Sequence, residues 1–270
     1  MTSAGEPGAT TYEGDQLFEV AEEEPRAALA VIPARAGSKR LPGKNVRTLC
    51  GLPALAWSIA AARDSKLFSL VMVSTDSEAI ADVALRFGAE VPFLRGAELS
   101  DDETPVSSVT VDALKRVDPT GRRFASVAQL MPNCPLRDAA DVRVSYEQFI
   151  ETEALSQLSV ARFGWQTPWW AMRRGDDFTL APLFPREAVM RGQDLPPVFC
   201  PTGAIWWARA ETLRAAGTYH VTGRTGWEID PVHAIDIDTE DDWRLAEALM
   251  TTARRPDISK RRTWSQGNHP

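Results

Sequence analysis

Apolar residues in this chain fall into two kinds of run: short, nearly continuous ones, and longer ones in which they recur every three or four positions. The first kind predicts buried strands and the second predicts helices that lie on them by one face. Residues 29–32 (LAVI) read as the first strand, followed by a loop broken by Pro33, Gly37, Pro42 and Gly43. Pro53 opens a helix to about residue 63, with Leu55 and Ile59 one turn apart on its inner side. A strand over 70–74 leads to Asp76 and Ser77, where a helix cap belongs, and to a helix that stops at Gly88. Strand 90–94, an acidic loop, a helix burying Val106, Val109, Ala113, Leu114 and Val117, and strand 125–131 come next. A helix from about Asp138 buries Val142, Phe149 and Ile150; strand 203–208, a helix from about Ala210, strand 232–237 and a helix over 239–252 complete the set. Strands and helices alternating at these lengths predict an α/β fold, with a doubly wound, mainly parallel sheet covered on both faces.

Neither period fits residues 163–197, where Trp165, Trp169, Trp170, Phe178 and Phe184 are interleaved with prolines and short charged clusters. Such an insertion exposes aromatic surface and is expected to act as a lid, a dimer contact, or both. Residues 1–26 and 253–270 are too polar to offset chain entropy and read as tails, leaving one domain over 27–252.

Composition narrows the class. With 44% hydrophobic and 25% charged residues in 270, the chain is that of an ordinary globular protein with a substantial core. No apolar run is long enough to span a bilayer, and the acidic N-terminus is unlike a signal peptide, so a cytoplasmic protein without membrane contact is expected. Cys50, Cys134 and Cys200 are scattered and suggest neither a disulfide framework nor a zinc site. A formal net charge of -7 argues against general nucleic-acid binding.

Against that acidic background, residues 25–63 contain no Asp or Glu. The loop after the first strand carries Arg35, Lys39, Arg40 and Lys44, while Gly37 and Gly43 allow backbone N–H groups to approach an anion closely. Local positive charge on a strand-to-loop junction predicts a small polyanion as partner, and we read the loop as a triphosphate cradle. It is not a P-loop: Gly37 and Gly43 enclose five residues where that motif has four, and Asn45 follows Lys44 in place of Ser or Thr. No GxGxxG follows the first strand, which argues against an NAD-linked oxidoreductase.

Near the C-terminus, Asp236 and Asp238 share a strand parity and should lie roughly 6–7 Å apart. Two such carboxylates suit a hard cation such as Mg²⁺, yet Asp238 equally suits the cap of the helix that follows. His233 has the opposite parity and is expected to be structural, and His220 and His269 lack catalytic context. Cys134 has no evident base, and the chemistry need not contain a covalent enzyme intermediate. Arg191 with Gln193 could recognise an acid and its neighbouring hydroxyls, and Arg137 is a second candidate; either arginine could also be an ordinary ion-pairing residue.

The run IPARAGSKRLPGKN (32–45) closely resembles the N-terminal signature of the acylneuraminate cytidylyltransferases, or CMP-sialic acid synthetases. The resemblance continues in VSTDSEAIADVALRFGAEVPFLR (73–95), PLR (135–137), RGQDLP (191–196) and IDIDTEDDWRLAEAL (235–249). It implies a Rossmann-like nucleotidyltransferase with a small inserted dimerisation or lid element, working as a homodimer. It also implies Mg²⁺-dependent transfer of CMP from CTP to an acidic sugar, with release of pyrophosphate. Arg35 and Lys44 would then be catalytic. Arg35, Gly37, Ser38, Lys39, Lys44, Asn45, Ser74, Asp76 and Arg95 would surround the nucleotide, Arg137, Arg191 and Gln193 the acceptor, and Asp236 with Asp238 the metal.

The chain departs from the family at several points. Relatives usually read LQPTSPLR where this chain has LMPNCPLR, so Met131 stands in place of a ligand-contacting glutamine and Asn133 and Cys134 alter its neighbours. RSQDLP becomes RGQDLP, and PNGAIY becomes PTGAIW at Thr202 and Trp206. These changes put the acceptor in question, and transfer to another ulosonic acid or a phosphonate is the close alternative. The distant one is a nucleotide-binding protein without catalysis, against which both retained aspartates argue.

Overall fold

The structure is a computed structural model that describes residues 27–252, so the two expected tails lie outside the described residues. In chain order the elements are β1 (Ala27–Pro33), a small antiparallel pair β2 (Thr48–Leu49) and β3 (Leu52–Pro53), α1 (Ala54–Ser65), β4 (Phe68–Ser74), α2 (Glu78–Arg86), α3 (Val106–Val117) and β5 (Phe124–Gln129). Then follow α4 (Ala139–Glu151), β6 (Ser156–Arg162), β7 (Met172–Arg174), β8 (Leu180–Pro182), β9 (Phe199–Arg209), α5 (Ala210–Ala216), β10 (Thr225–Glu228) and α6 (Glu240–Thr252). The central sheet has the order β10-β6-β9-β5-β1-β4. Every neighbouring pair is parallel except those of β9, which runs antiparallel to both β5 and β6.

The side chains of β1 show why both faces are covered. Ala28, Ala30 and Ile32 point into a core with Leu55 and Ile59 of α1 and with Val142 and Phe149 of α4. Leu29 and Val31 point to the other side, against Leu114 of α3 and Leu213 of α5. Trp207 of β9 is fully buried; it stacks on Phe68 and Phe149, with ring centroids 5.4 and 5.9 Å away, and its Nε1 donates to Ser145 Oγ at 3.0 Å. A third cluster, including Leu41, Leu49, Leu136, Ile237, Trp243 and Met250, packs α6 beneath the basic loop. Arg47 reinforces it by donating from both terminal guanidinium nitrogens, Nη1 and Nη2, to Glu240, at 2.6 and 2.8 Å, while lying over the Trp243 ring. This packing brings the 235–238 segment alongside the loop after β1.

Several elements differ from expectation. The strand predicted over 232–237 is a turn followed by an extended segment outside any ladder; Ile237 N donates to Asn133 O at 2.8 Å, and the last sheet strand is β10. The strand predicted over 90–94 is reduced to isolated bridges, Met72 with Glu90 and Thr75 with Leu94, since Pro92 between them has no N–H to donate. Strand β6 is missing from the predicted set because Ser156, Gln157 and Ser159 are polar, yet they are buried and hydrogen-bonded to Tyr219, Ser145 and Thr202.

The insertion holds the β7–β8 hairpin and three short 3-10 turns, at Pro168–Trp170, Glu187–Val189 and Gly192–Asp194. Trp165 and Val189 are more than four-fifths exposed, at 81% and 86%, and Phe178 is also exposed. This stretch carries an unusual concentration of uncovered apolar surface.

Candidate active site

The basic loop leaves β1 at the carboxyl edge of the parallel strands, where ligands bind in open α/β sheets. Its shape is set from both sides. Asp76 Oδ1 accepts from Ala36 N at 2.9 Å, and the buried Asn45 donates its Nδ2 to Arg35 O at 3.0 Å. Asp76 therefore holds the loop, and the cap of α2 is Ser77, whose Oγ accepts from Ile80 N at 3.4 Å. Gly43 adopts a φ of +67°, in the left-handed region that favours glycine.

A polar cavity of about 290 Å³ opens over this loop, lined on one side by Arg35, Ser38, Lys39, Arg40, Lys44 and Asn45. Arg95, Thr104, Met131 and Asn133 line it as well, together with Asp101, Asp102 and Asp238. Of the residues expected around a nucleotide, Arg35, Ser38, Lys39, Lys44, Asn45 and Arg95 are thus brought together. Gly37, Ser74 and Asp76 are not on its lining: Ser74 is buried, its carbonyl accepting from Ala34 N at 2.9 Å, and Asp76 acts through the loop backbone.

Two carboxylates face the loop cations. Lys44 Nζ donates to Asp238 Oδ1 at 2.9 Å and to Ile237 O at 2.8 Å, and Arg40 Nη2 lies 2.5 Å from Asp238 Oδ2. At the other end Arg35 Nη2 lies 2.7 Å from Asp102 Oδ1, and Lys39 pairs with Asp102 Oδ2. The cap of α6 is not Asp238. Thr239 and Asp242 serve that end, Asp242 Oδ2 accepting from Asp238 N and Thr239 N while Thr239 Oγ1 accepts from Asp242 N. The Asp238 carboxylate is therefore left for cations.

Asp236 stands next to it, held by Asn133, whose Nδ2 donates to Asp236 Oδ1. Partial burial of the carboxylate, together with the charge on Asp238, pushes Asp236 up to about 6. Adjacent anionic oxygens that repel one another in a polar cleft, with the buried Asn133 Oδ1 lacking a hydrogen-bond partner beside them, form a donor set that fits a hard, oxygen-preferring cation. Because such a cation must compete with a proton for Asp236, Mn²⁺ or Mg²⁺ affinity should fall as the pH drops through about 6. The loss should approach tenfold per pH unit below that point, and titration calorimetry between pH 7.5 and 5 measures it; a flat profile would remove Asp236 from the site.

Other candidates sit elsewhere. Arg137 is 1% exposed, and its Nη1 bonds the carbonyls of Met131 and Ala204, so it braces the back of the 131–134 turn and does not reach the cavity as expected of an acceptor-binding residue. Burial lowers its pKa to about 10. Arg191 and Gln193 lie on the insertion and do not line the cavity; Arg191 Nε is 2.7 Å from Asp194 Oδ2. Burial pushes the Cys134 thiol up to about 12, which removes it as a nucleophile. His233 Nδ1 lies 2.7 Å from Asp141 Oδ2 at the start of α4, and His220 packs edge-on against Trp206. His269 lies outside the described residues. Asp101, Asp102 and Thr104 were visible in the sequence only as part of an acidic loop, since nothing in that stretch says which cations it faces.

Comparison with known proteins identifies the family. A family model described as cytidylyltransferase matches residues 29–119. The CMP-N,N'-diacetyllegionaminic acid synthase of Legionella pneumophila is 35% identical over 224 residues, covering 82% of this chain and 95% of that protein. N-acylneuraminate cytidylyltransferase A of Danio rerio is 32% identical, over 81% of this chain and 49% of that one. Among solved structures, a CMP:2-keto-3-deoxy-manno-octonic acid synthetase complexed with CTP shares the fold, with a TM-score of 0.62 at 18% identity over 83% of this chain and 98% of its own.

Proposed function

Because the chain belongs to the cytidylyltransferase family that makes CMP-activated sialic-type sugars, we propose that its polar cavity is where CTP and an acidic sugar meet. The enzyme transfers CMP from CTP to a hydroxyl of a nonulosonic acid and releases pyrophosphate. The observation that carries this reading is the convergence of Arg35, Lys39, Arg40 and Lys44 with Asp238 on one cavity at the carboxyl edge of the sheet.

In this reading Lys44 and Arg40 neutralise the phosphate at which transfer occurs, and Arg35 with Lys39 take the outgoing pyrophosphate. The backbone N–H groups near Gly37 and Ser38 orient the chain of phosphates. Asp236 and Asp238 hold Mg²⁺, which when bound supplies charge stabilisation to phosphate oxygens. Positioning and electrostatics then carry most of the rate, as is usual for transfer at phosphorus. Arg191 and Gln193 read the acceptor when the insertion is brought to the cavity.

The test is pyrophosphate release from CTP and Mg²⁺ with a panel of acidic sugars and phosphonates. Release is expected with a nonulosonic acid, and silence across the panel would overturn the reading. Met131 lines the cavity beside Gln129, whose Nε2 has the Met131 sulfur at 3.9 Å, so the apolar thioether is where this chain's acceptor preference should differ from glutamine-bearing relatives.

The exposed face of the insertion, with Trp165, Phe178 and Val189, is the surface through which a second copy pairs. Light scattering on the purified protein should return twice the chain mass of 29.7 kDa. A monomer mass at tens of micromolar would remove the dimer.

A further inference from the structure

The cations of the cradle are already partnered within the chain. Asp102 uses one oxygen on Arg35, at 2.7 Å, and the other on Lys39, the two-oxygen grip that a phosphate group would make on the same pair. The turn that carries it is pinned. Asp101 Oδ1 accepts from Glu103 N and Thr104 N at 3.0 and 2.6 Å, Arg35 Nη1 donates to Asp101 O at 2.6 Å, and the buried Arg95 donates its Nε to Ser100 Oγ at 3.0 Å. Asp102 thus projects from a held backbone onto two partly or largely exposed cations, and its own side chain is 38% exposed. The paired cations hold its carboxyl below the usual range, Lys39 foremost.

We propose that Asp102 is an internal occupant of the pyrophosphate end of the cradle: a carboxylate that holds Arg35 and Lys39 until the β- and γ-phosphates of the nucleotide displace it, and that thereby sets the affinity for triphosphate. The inference rests on the reading of this cavity as the CTP site. On that reading Asp238, paired with Arg40 and Lys44, marks the end where transfer occurs, so Arg35 and Lys39, which pair with Asp102 instead, face the leaving group. A ligand that reaches these two cations must outcompete a tethered anion. A ligand that ends at the first phosphate need not. Asp102 is in this sense a residue that selects among phosphate-chain lengths, and it touches no reacting atom.

Calorimetry with CTP, pyrophosphate and CMP on the wild-type protein and Asp102→Asn tests it, at two salt concentrations and with Mg²⁺ present. The variant should bind CTP and pyrophosphate about three- to tenfold more tightly, the span expected for two partly exposed ion pairs, with CMP unchanged. Its affinity for CTP should also fall more steeply with added salt than the wild type's, because Arg35 and Lys39 are then open to counterions. Unchanged or weakened CTP binding overturns the proposal, and equal tightening for CMP overturns the assignment to the pyrophosphate end. A melting curve, with Asp102→Ser as a second variant, separates these outcomes from misfolding. If the wild-type protein binds pyrophosphate but no CTP, the functional reading fails and the pyrophosphate arm still decides the role of Asp102. Binding of neither ligand overturns both.

Discussion

Asp238→Asn and Asp236→Asn should each lower turnover by about a thousandfold or more, because an amide cannot supply the negative charge that holds a divalent cation against a triphosphate. Several kcal/mol of charge stabilisation are at stake, and each 1.36 kcal/mol is about a factor of ten in rate. The two variants differ in what else they disturb. Asp238 also faces Lys44 and Arg40, whereas Asp236 faces Asn133. Thr239 and Asp242 cap α6, so Asp238→Asn should leave the helix in place and change stability by no more than about 1 kcal/mol, the scale of a partly exposed ion pair. Steady-state kinetics alongside a melting curve reads both quantities. Near-normal turnover in either variant would remove that aspartate from the metal site.

Lys44→Ala should reduce kcat/KM for CTP by about a hundredfold or more, the cost of losing a charge-assisted contact to phosphate. The structure adds a second, opposite expectation. Lys44 Nζ spends its hydrogen bonds on Ile237 O and Asp238 Oδ1, so in the empty protein it competes with any cation for the Asp238 carboxylate. Divalent-cation binding measured without nucleotide should therefore be retained or strengthened in the variant while CTP use collapses. A parallel loss of both would mean that Lys44 supports the 237–238 segment structurally, and unchanged kinetics would take it out of the phosphate site.

Much of this was legible in the sequence, for physical reasons. The short, continuous apolar run of β1, cut off by a proline and a glycine loop, read as a strand buried on both faces, and the acid-free stretch around Arg35, Lys39, Arg40 and Lys44 in an acidic chain pointed to a small polyanion. The alternation expected around Asp236 and Asp238 is kept although their strand is not: Ile237 between them is buried while Asp236 as a whole residue stays open to solvent with its carboxylate turned in against Asn133, and the extended backbone is held by Asn133 in place of a ladder. What escaped was whatever long-range partners decide. Polar β6 could not be recognised as a core strand without knowing that Ser145, Thr202 and Tyr219 would satisfy it. Arg137, a residue type that is rarely buried, gave no sign that two backbone carbonyls would draw it behind the 131–134 turn. The acidic loop after residue 100 could be seen, but not that its second aspartate would sit on the cradle's cations.

The stem of the insertion has a consequence for how this chain can change. Arg162 at the end of β6 pairs directly with Phe199 at the start of β9, and Phe163 N donates to Val198 O one step further out. The whole excursion between them leaves and re-enters the sheet at neighbouring points, so the sheet is indifferent to how many residues it contains. Closing a longer loop costs only about 0.6 kcal/mol for each doubling of its length. A graft that preserves these two paired rungs can therefore exchange, lengthen or trim the hairpin module as a cassette, and the strand order that carries the phosphate cradle will not register the difference.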